Sequence, residues 1–200
     1  MRDVVLIFKH NYASFEELLC FFEKNADLFV PDLNLQVESL YVYVDKLKKN
    51  ATIIEAYDDG TLVGLVAIYL NNYETKIAFI SSILVSAEYQ GKRIARTLLK
   101  MAIKAAVLKK FAILKLEVFN NNDKAINLYK KLGFKENTQK LITVKPFSPI
   151  EAKRQLIQNG EVLIDKETLV EMSLELKQFY TNNEHYSIQN NSISLNYIVK

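Results

Sequence analysis

Apolar positions in this chain follow two rhythms. Short apolar or alternating runs bounded by Asn, Asp or Gly predict strands, and stripes at helical spacing predict helices. Val4–Phe8 is apolar on both faces and predicts a short strand. Ser14-Phe15-Glu16-Glu17 is a capping box, continued as a helix by Leu18, Leu19, Phe21 and Phe22. A second helix is expected over Val37–Lys49, although its Tyr41-Val42-Tyr43-Val44 favours strand locally. Asp58-Asp59-Gly60 separates the runs Thr52–Tyr57 and Leu62–Leu70, a strong hairpin signal. Asn71-Asn72 then turns the chain into Lys76–Val85, so three antiparallel strands are predicted in succession.

The pattern then becomes helical from Lys92 to Lys109, with Ile94, Leu98, Met101, Ala105 and Leu108 on one stripe and Lys100, Lys104 and Lys109 off it. Ala112–Phe119 alternates as a strand, Asn122-Asp123-Lys124 opens a helix over Ala125–Leu132, and Gly133 is placed to stop it. Phe134–Val144 reads as a returning strand. Ser148-Pro149-Ile150-Glu151 is a second capping box, predicting a helix to Asn159 before Gly160. Leu169–Leu176 alternates as a last strand. The Asn-, Ser- and Tyr-rich tail after Gln178, with its apolar run Ser194–Val199, is not assigned. A helix between the strands Lys76–Val85 and Ala112–Phe119 makes them parallel neighbours. The expected fold is α+β, a mixed, mostly antiparallel sheet flanked by helices. One domain is expected over residues 1–177, including the helix near 148–160, with an extension over 178–200.

Composition narrows the function classes. Half of the 200 residues are hydrophobic and 24% are charged, as in ordinary globular domains. A net charge of +3 argues for no polyanionic partner unless a local patch is found. The basic residues of the Lys92 helix are spread around it, and no nucleic-acid motif accompanies them. The single cysteine, Cys20, rules out an internal disulfide, and His10 and His185 lack ligand-like neighbours, so no metal site is expected. Val4–Phe8 is too short for a membrane span or a signal core, which makes a cytoplasmic protein the expectation.

The chemistry concentrates between Ile83 and Phe134. An apolar strand ends in a turn with one glycine, Gly91, and a helix begins at once behind Lys92, Arg93 and Arg96. Unpaired amides at a helix start, together with the helix dipole, suit phosphate. Cations there are unfavourable unless an anion is near, although a solvated helix start carries the same residues. The run Val85–Ala95, followed by Asn122, Ala125-Ile126, Leu128-Tyr129 and Gly133-Phe134, resembles the GNAT superfamily of acyl-CoA-dependent N-acetyltransferases. The family's cofactor loop, Gln/Arg-x-x-Gly-x-Gly/Ala, matches Gln90-Gly91-Lys92-Arg93-Ile94-Ala95, except that Arg93 stands at the central glycine. Ordinary helical backbone at that position would tolerate the arginine.

The resemblance implies acetyl transfer from acetyl-CoA to an amine of a small molecule, amino sugar or peptide. It places the cofactor against Leu84, Val85, Gln90, Gly91, Lys92, Arg93, Ile94, Ala95, Arg96, Asn122 and Tyr129. A backbone donor near Leu84 would meet the oxyanion, and the cofactor's amide-bearing arm would extend that strand edge. The amine must be neutral to attack and the departing thiolate must gain a proton. Tyr129, a phenol with an ordinary pKa of about 10, is the implied donor. Many family members carry a carboxylate on the strand before the loop, where this chain has Ser81 and Ser82. Glu117 is the alternative base, resembling a Glu in ribosomal-protein N-terminal acetyltransferases, and a water chain is equally compatible. The acceptor would be chosen by the N-terminal helices and the region after Phe134, with Phe21, Phe22, Phe29, Tyr41 and Tyr43 as candidate lining. Homodimer formation is compatible with the pattern. A module that keeps the fold and binds CoA without catalysis is the competing reading.

Overall fold

Asp59 and Gly60 both adopt positive φ, 46° and 76°, the backbone that a two-residue hairpin turn with the native twist requires. They join β2 (Thr52–Asp58) to β3 (Thr61–Tyr69), and β4 (Ile77–Val85) pairs antiparallel to β3, as the turn signals predict. The computed structural model describes residues 4–29, 32–144, 165–182 and 195–199. Around the hairpin lie β1 (Val4–His10), β5 (Ile113–Phe119), β6 (Lys135–Val144), β7 (Asp165–Glu175) and β8 (Leu195–Val199). They form an eight-stranded sheet in the order β6-β7-β5-β4-β3-β2-β1-β8. Among the described residues only β4 and β5 run parallel, across the helical crossover expected between them. The unassigned tail supplies β8, antiparallel to β1. The expected helix over 148–159 lies outside the described residues.

Two apolar cores cover the sheet. On one face α4 (Ile94–Leu108) and α5 (Asp123–Lys130) pack with Leu6, Ile54, Val66, Ile80 and Leu116. On the other, α1 (Phe15–Asn25) and α3 (Leu40–Asn50) pack with Ile53, Tyr57, Leu65, Ala67 and Leu84. Ser14 caps α1 by accepting the Glu17 amide at 3.1 Å, a contact worth about 1 kcal/mol. Strand propensity loses in α3 because Ser39 caps it and Val44 and Leu47 are buried, while Tyr41 and Val42 face outward. A short helix, α2 (Leu33–Gln36), begins at Asp32 and had no clear pattern of its own. In α4 the buried face includes Ile94, Leu98, Met101, Ala102 and Ala106, so Ala105 and Leu108, expected on the stripe, sit only at its margin.

Three features of β4 position the site. Its parallel ladder to β5 runs only from Ile77↔Ile113 to Ile80↔Leu116, after which the two strands part. At the same level the register to β3 jumps from Ala67↔Ser82 to Ile68↔Ile80, leaving Ser81 as the extra residue of a bulge. Beyond it, Gly64 of β3 faces Val85, and a Cβ there would meet the Leu84 carbonyl at 3.2 Å. The result is a sheet split down one seam, with the backbone of Ser81–Val85 outside the β5 ladder among the described residues.

Candidate active site

The split is bounded at one end by the turn into α4. After β4 the chain makes a helical turn at Ala87–Tyr89, and Gln90 donates its side-chain amide to the Val85 carbonyl at 3.3 Å. Gly91 lies at φ 77°. Arg93 is the N-cap residue of α4, with φ 61° and ψ 9° and no side-chain cap. The tolerance expected at this position assumed right-handed helical backbone, and that expectation is corrected. Arg93 is left-handed, a conformation that costs a non-glycine residue roughly 1–2 kcal/mol. Its carbonyl accepts the Thr97 amide at 3.1 Å, opening the helical ladder. The amides of the first turn therefore point outward, with Lys92, Arg93 and Arg96 exposed beside them.

The other predicted residues divide by depth. Leu84 and Val85 are buried at the end of β4, where their main chain rather than their side chains lines the split. The Ile94 side chain is 1% exposed in the core, and Ala95 is half-buried, so both offer backbone only. Asn122 caps α5 by accepting the Ala125 amide at 3.2 Å, which fixes its carbonyl oxygen. Tyr129 is buried, its ring 5.9 Å from that of Phe134, in one apolar cluster with Val85, Ile94, Val118 and Ile126. Burial pushes its phenol pKa up, so the proton stays on it throughout the neutral range.

Glu117 is exposed and alternates with the buried Leu116 and Val118, which face α4 and α5. Its side chain therefore leaves β5 on the face opposite Tyr129. That outer face is polar: Lys115 pairs with Glu171 at 3.0 Å, and Asn137 donates to Ser173 at 2.8 Å. Among the candidate lining residues, Phe21 and Phe22 are core, Tyr41 is exposed, and Phe29 stacks on Phe22 at 6.3 Å. Tyr43 reaches β4, its hydroxyl meeting that of the buried Ser82, and burial raises its pKa.

Two features escaped the pattern. Glu55 of β2 is fully buried, and its Oε1 accepts the amides of Tyr12 at 3.0 Å and Ala13 at 3.3 Å. Its Oε2 has no hydrogen-bond partner among the described residues, and desolvation pushes its pKa up to about 7. A carboxylate inside an apolar strand run was the available signal. The second is Tyr89, which donates to Asp58 at 2.8 Å across 31 residues of sequence. No local pattern announces that pair. Among the described residues no metal-binding group of His, Cys, Asp or Glu is present, and no helix is long and apolar enough to cross a membrane.

Residues 15–134, which span the split strand and the start of α4, match the model of the acetyltransferase (GNAT) family. The chain is a member of the GNAT family. It is 34% identical over 105 residues to a streptothricin acetyltransferase of Escherichia coli, across 52% of this chain and 59% of that protein. The match thus spans less than two-thirds of that relative's length. The GNAT fold is shared with an N-acetyltransferase from Staphylococcus aureus at TM-score 0.61 and 19% identity, covering 85% of this chain and 99% of that one. A ribosomal-protein-alanine N-acetyltransferase from Brucella melitensis superposes at TM-score 0.60 and 19% identity, covering 83% and 98%.

Proposed function

We propose that this GNAT protein transfers the acetyl group of acetyl-CoA to a primary amine, and that streptothricin is the first acceptor to test. The observation that carries the reading is the open Ser81–Val85 edge leading into the amide-bearing, triply cationic start of α4. An extended arm bearing amides fits the strand edge, and a diphosphate fits the helix start. The streptothricin acetyltransferase relative supports the choice of acceptor.

In this reading the amine nitrogen attacks the thioester carbon, a C–N bond forms and the C–S bond breaks. An amide near Leu84 receives the developing oxyanion. Tyr129 donates its proton to the departing thiolate, and Glu117 takes the surplus proton of the amine. A cytoplasmic location belongs to the same proposal.

The test combines binding and turnover. Saturating acetyl-CoA is expected to raise the melting temperature by several degrees, through selective binding to the folded state. Thiol release should follow addition of streptothricin or another primary amine. The left-handed Arg93 at the family's glycine favours one competing reading, a CoA-binding module without catalysis. Cofactor binding without thiol release across a broad amine panel would establish that module instead.

A further inference from the structure

The loop that leads into α4 is held from a distance. Tyr89 lies just before Gln90, and its hydroxyl reaches back to Asp58 Oδ2 at 2.8 Å, at the end of β2 beside the hairpin turn. The Lys92 ammonium sits 4.5 Å from the centre of the Tyr89 ring, within cation–π range. The bond to Asp58 holds the Tyr89 phenol's pKa above its ordinary value, so the hydroxyl keeps the proton that it donates to that carboxylate. Without the ring contact, Lys92 would be repelled by the positive end of the α4 dipole. Asp59 and Glu88 are the further acids that act on the Tyr89 phenol.

We infer that Tyr89 is a positioning residue for the diphosphate of the cofactor. Anchored by Asp58, it fixes the height of the Gln90–Arg93 turn over the sheet and parks Lys92 where the anion arrives. The inference rests on the acetyl-CoA reading. Its physical content is preorganisation: a cation held in place before binding loses less freedom on binding. The strut acts only on ligands that carry phosphate at this loop. An arm lying along β4 is beyond its reach.

That difference makes the test. Isothermal titration with CoA, and with pantetheine, which lacks the diphosphate, separates the two ends of the ligand. Tyr89→Phe removes the bond to Asp58 and keeps the ring; CoA affinity is expected to fall roughly three- to tenfold. Tyr89→Leu also removes the ring beneath Lys92 and should weaken CoA further. Asp58→Asn weakens the same bond from its other end and should resemble Tyr89→Phe. Pantetheine affinity should be the same in all four proteins. Unchanged CoA affinity in the variants, or an equal loss for CoA and pantetheine, overturns the strut. A wild-type protein that binds no CoA overturns the acetyl-CoA reading itself, and the strut with it.

Discussion

The hydroxyls of Tyr43 on α3 and Ser82 on β4 meet across the seam between the N-terminal helices and the sheet. Ser82 follows the bulged Ser81, at the start of the β4 segment that lies outside the β5 ladder. Both groups are neutral at physiological pH, and burial raises the Tyr43 pKa further. In the proposed reaction the pair would orient the amine by hydrogen bonds and would not serve as its base.

Tyr43→Phe and Ser82→Ala are therefore expected to lower kcat/KM for the amine roughly tenfold, about the value of one well-placed hydrogen bond. Their CoA affinity should match the wild type. Steady-state kinetics with streptothricin, paired with CoA titration, reads both quantities. A parallel loss of CoA affinity would assign the contact to the scaffold instead.

Replacing Tyr129 with phenylalanine should leave the buried ring packed on Phe134 and reduce kcat by about two orders of magnitude. Because burial raises the Tyr129 pKa, the wild-type rate should show no falling limb from this group below about pH 10. A pH–rate profile and single-turnover kinetics check both points.

Glu55 makes stability depend on pH in an unusual direction. Its folded-state pKa of about 7 lies above the ordinary carboxyl value of 4.5. Between those values the folded state holds a proton that the unfolded chain has lost, so stability falls as pH rises through the window and is level above it. Glu55→Gln keeps an oxygen to accept the Tyr12 and Ala13 amides and removes the charge. It should be more stable than the wild type above pH 7, by on the order of 1–3 kcal/mol. Urea midpoints at about pH 5, 6, 7 and 8 would show the two curves diverging.

Arg93→Gly isolates the cost of the left-handed cap. The variant should gain up to about 1 kcal/mol in stability, because glycine adopts φ 61° without strain. It should also bind CoA several-fold more weakly, having lost a cation. Denaturant unfolding and calorimetry of the same preparation measure both.

Much of this architecture was legible because the local signals agree with the tertiary ones. The Asp59-Gly60 turn, the Ser14 cap and the Gly133 stop each have one backbone solution that suits them, and Gly133 does adopt φ 94°. The motif from Asn122 to Phe134 was visible for the same reason, since cap, helix and stop lie within one short stretch. Features that depend on distant partners were not legible. The bulge at Ser81 exists only in its pairing with β3, and Tyr89 finds Asp58 only once the sheet has formed. The β8 run had no neighbour in sequence to pair with; its partner, β1, lies at the other end of the chain. Arg93 misled because its position was read as ordinary helical backbone, whereas it precedes the first turn of α4 as a left-handed N-cap.

Gly64 carries no functional group, yet it sets how closely β3 meets the end of β4 and the first residue of α4. A methyl group there would press on the Leu84 carbonyl, on the Val85 side chain at 3.2 Å and on Ile94 at 3.4 Å. The end of one strand and the first turn of the next helix would have to retreat together. Alanine at Gly64 would thus disturb the proposed cofactor edge and overpack the core in one stroke, and overpacking of this kind costs about 1–3 kcal/mol.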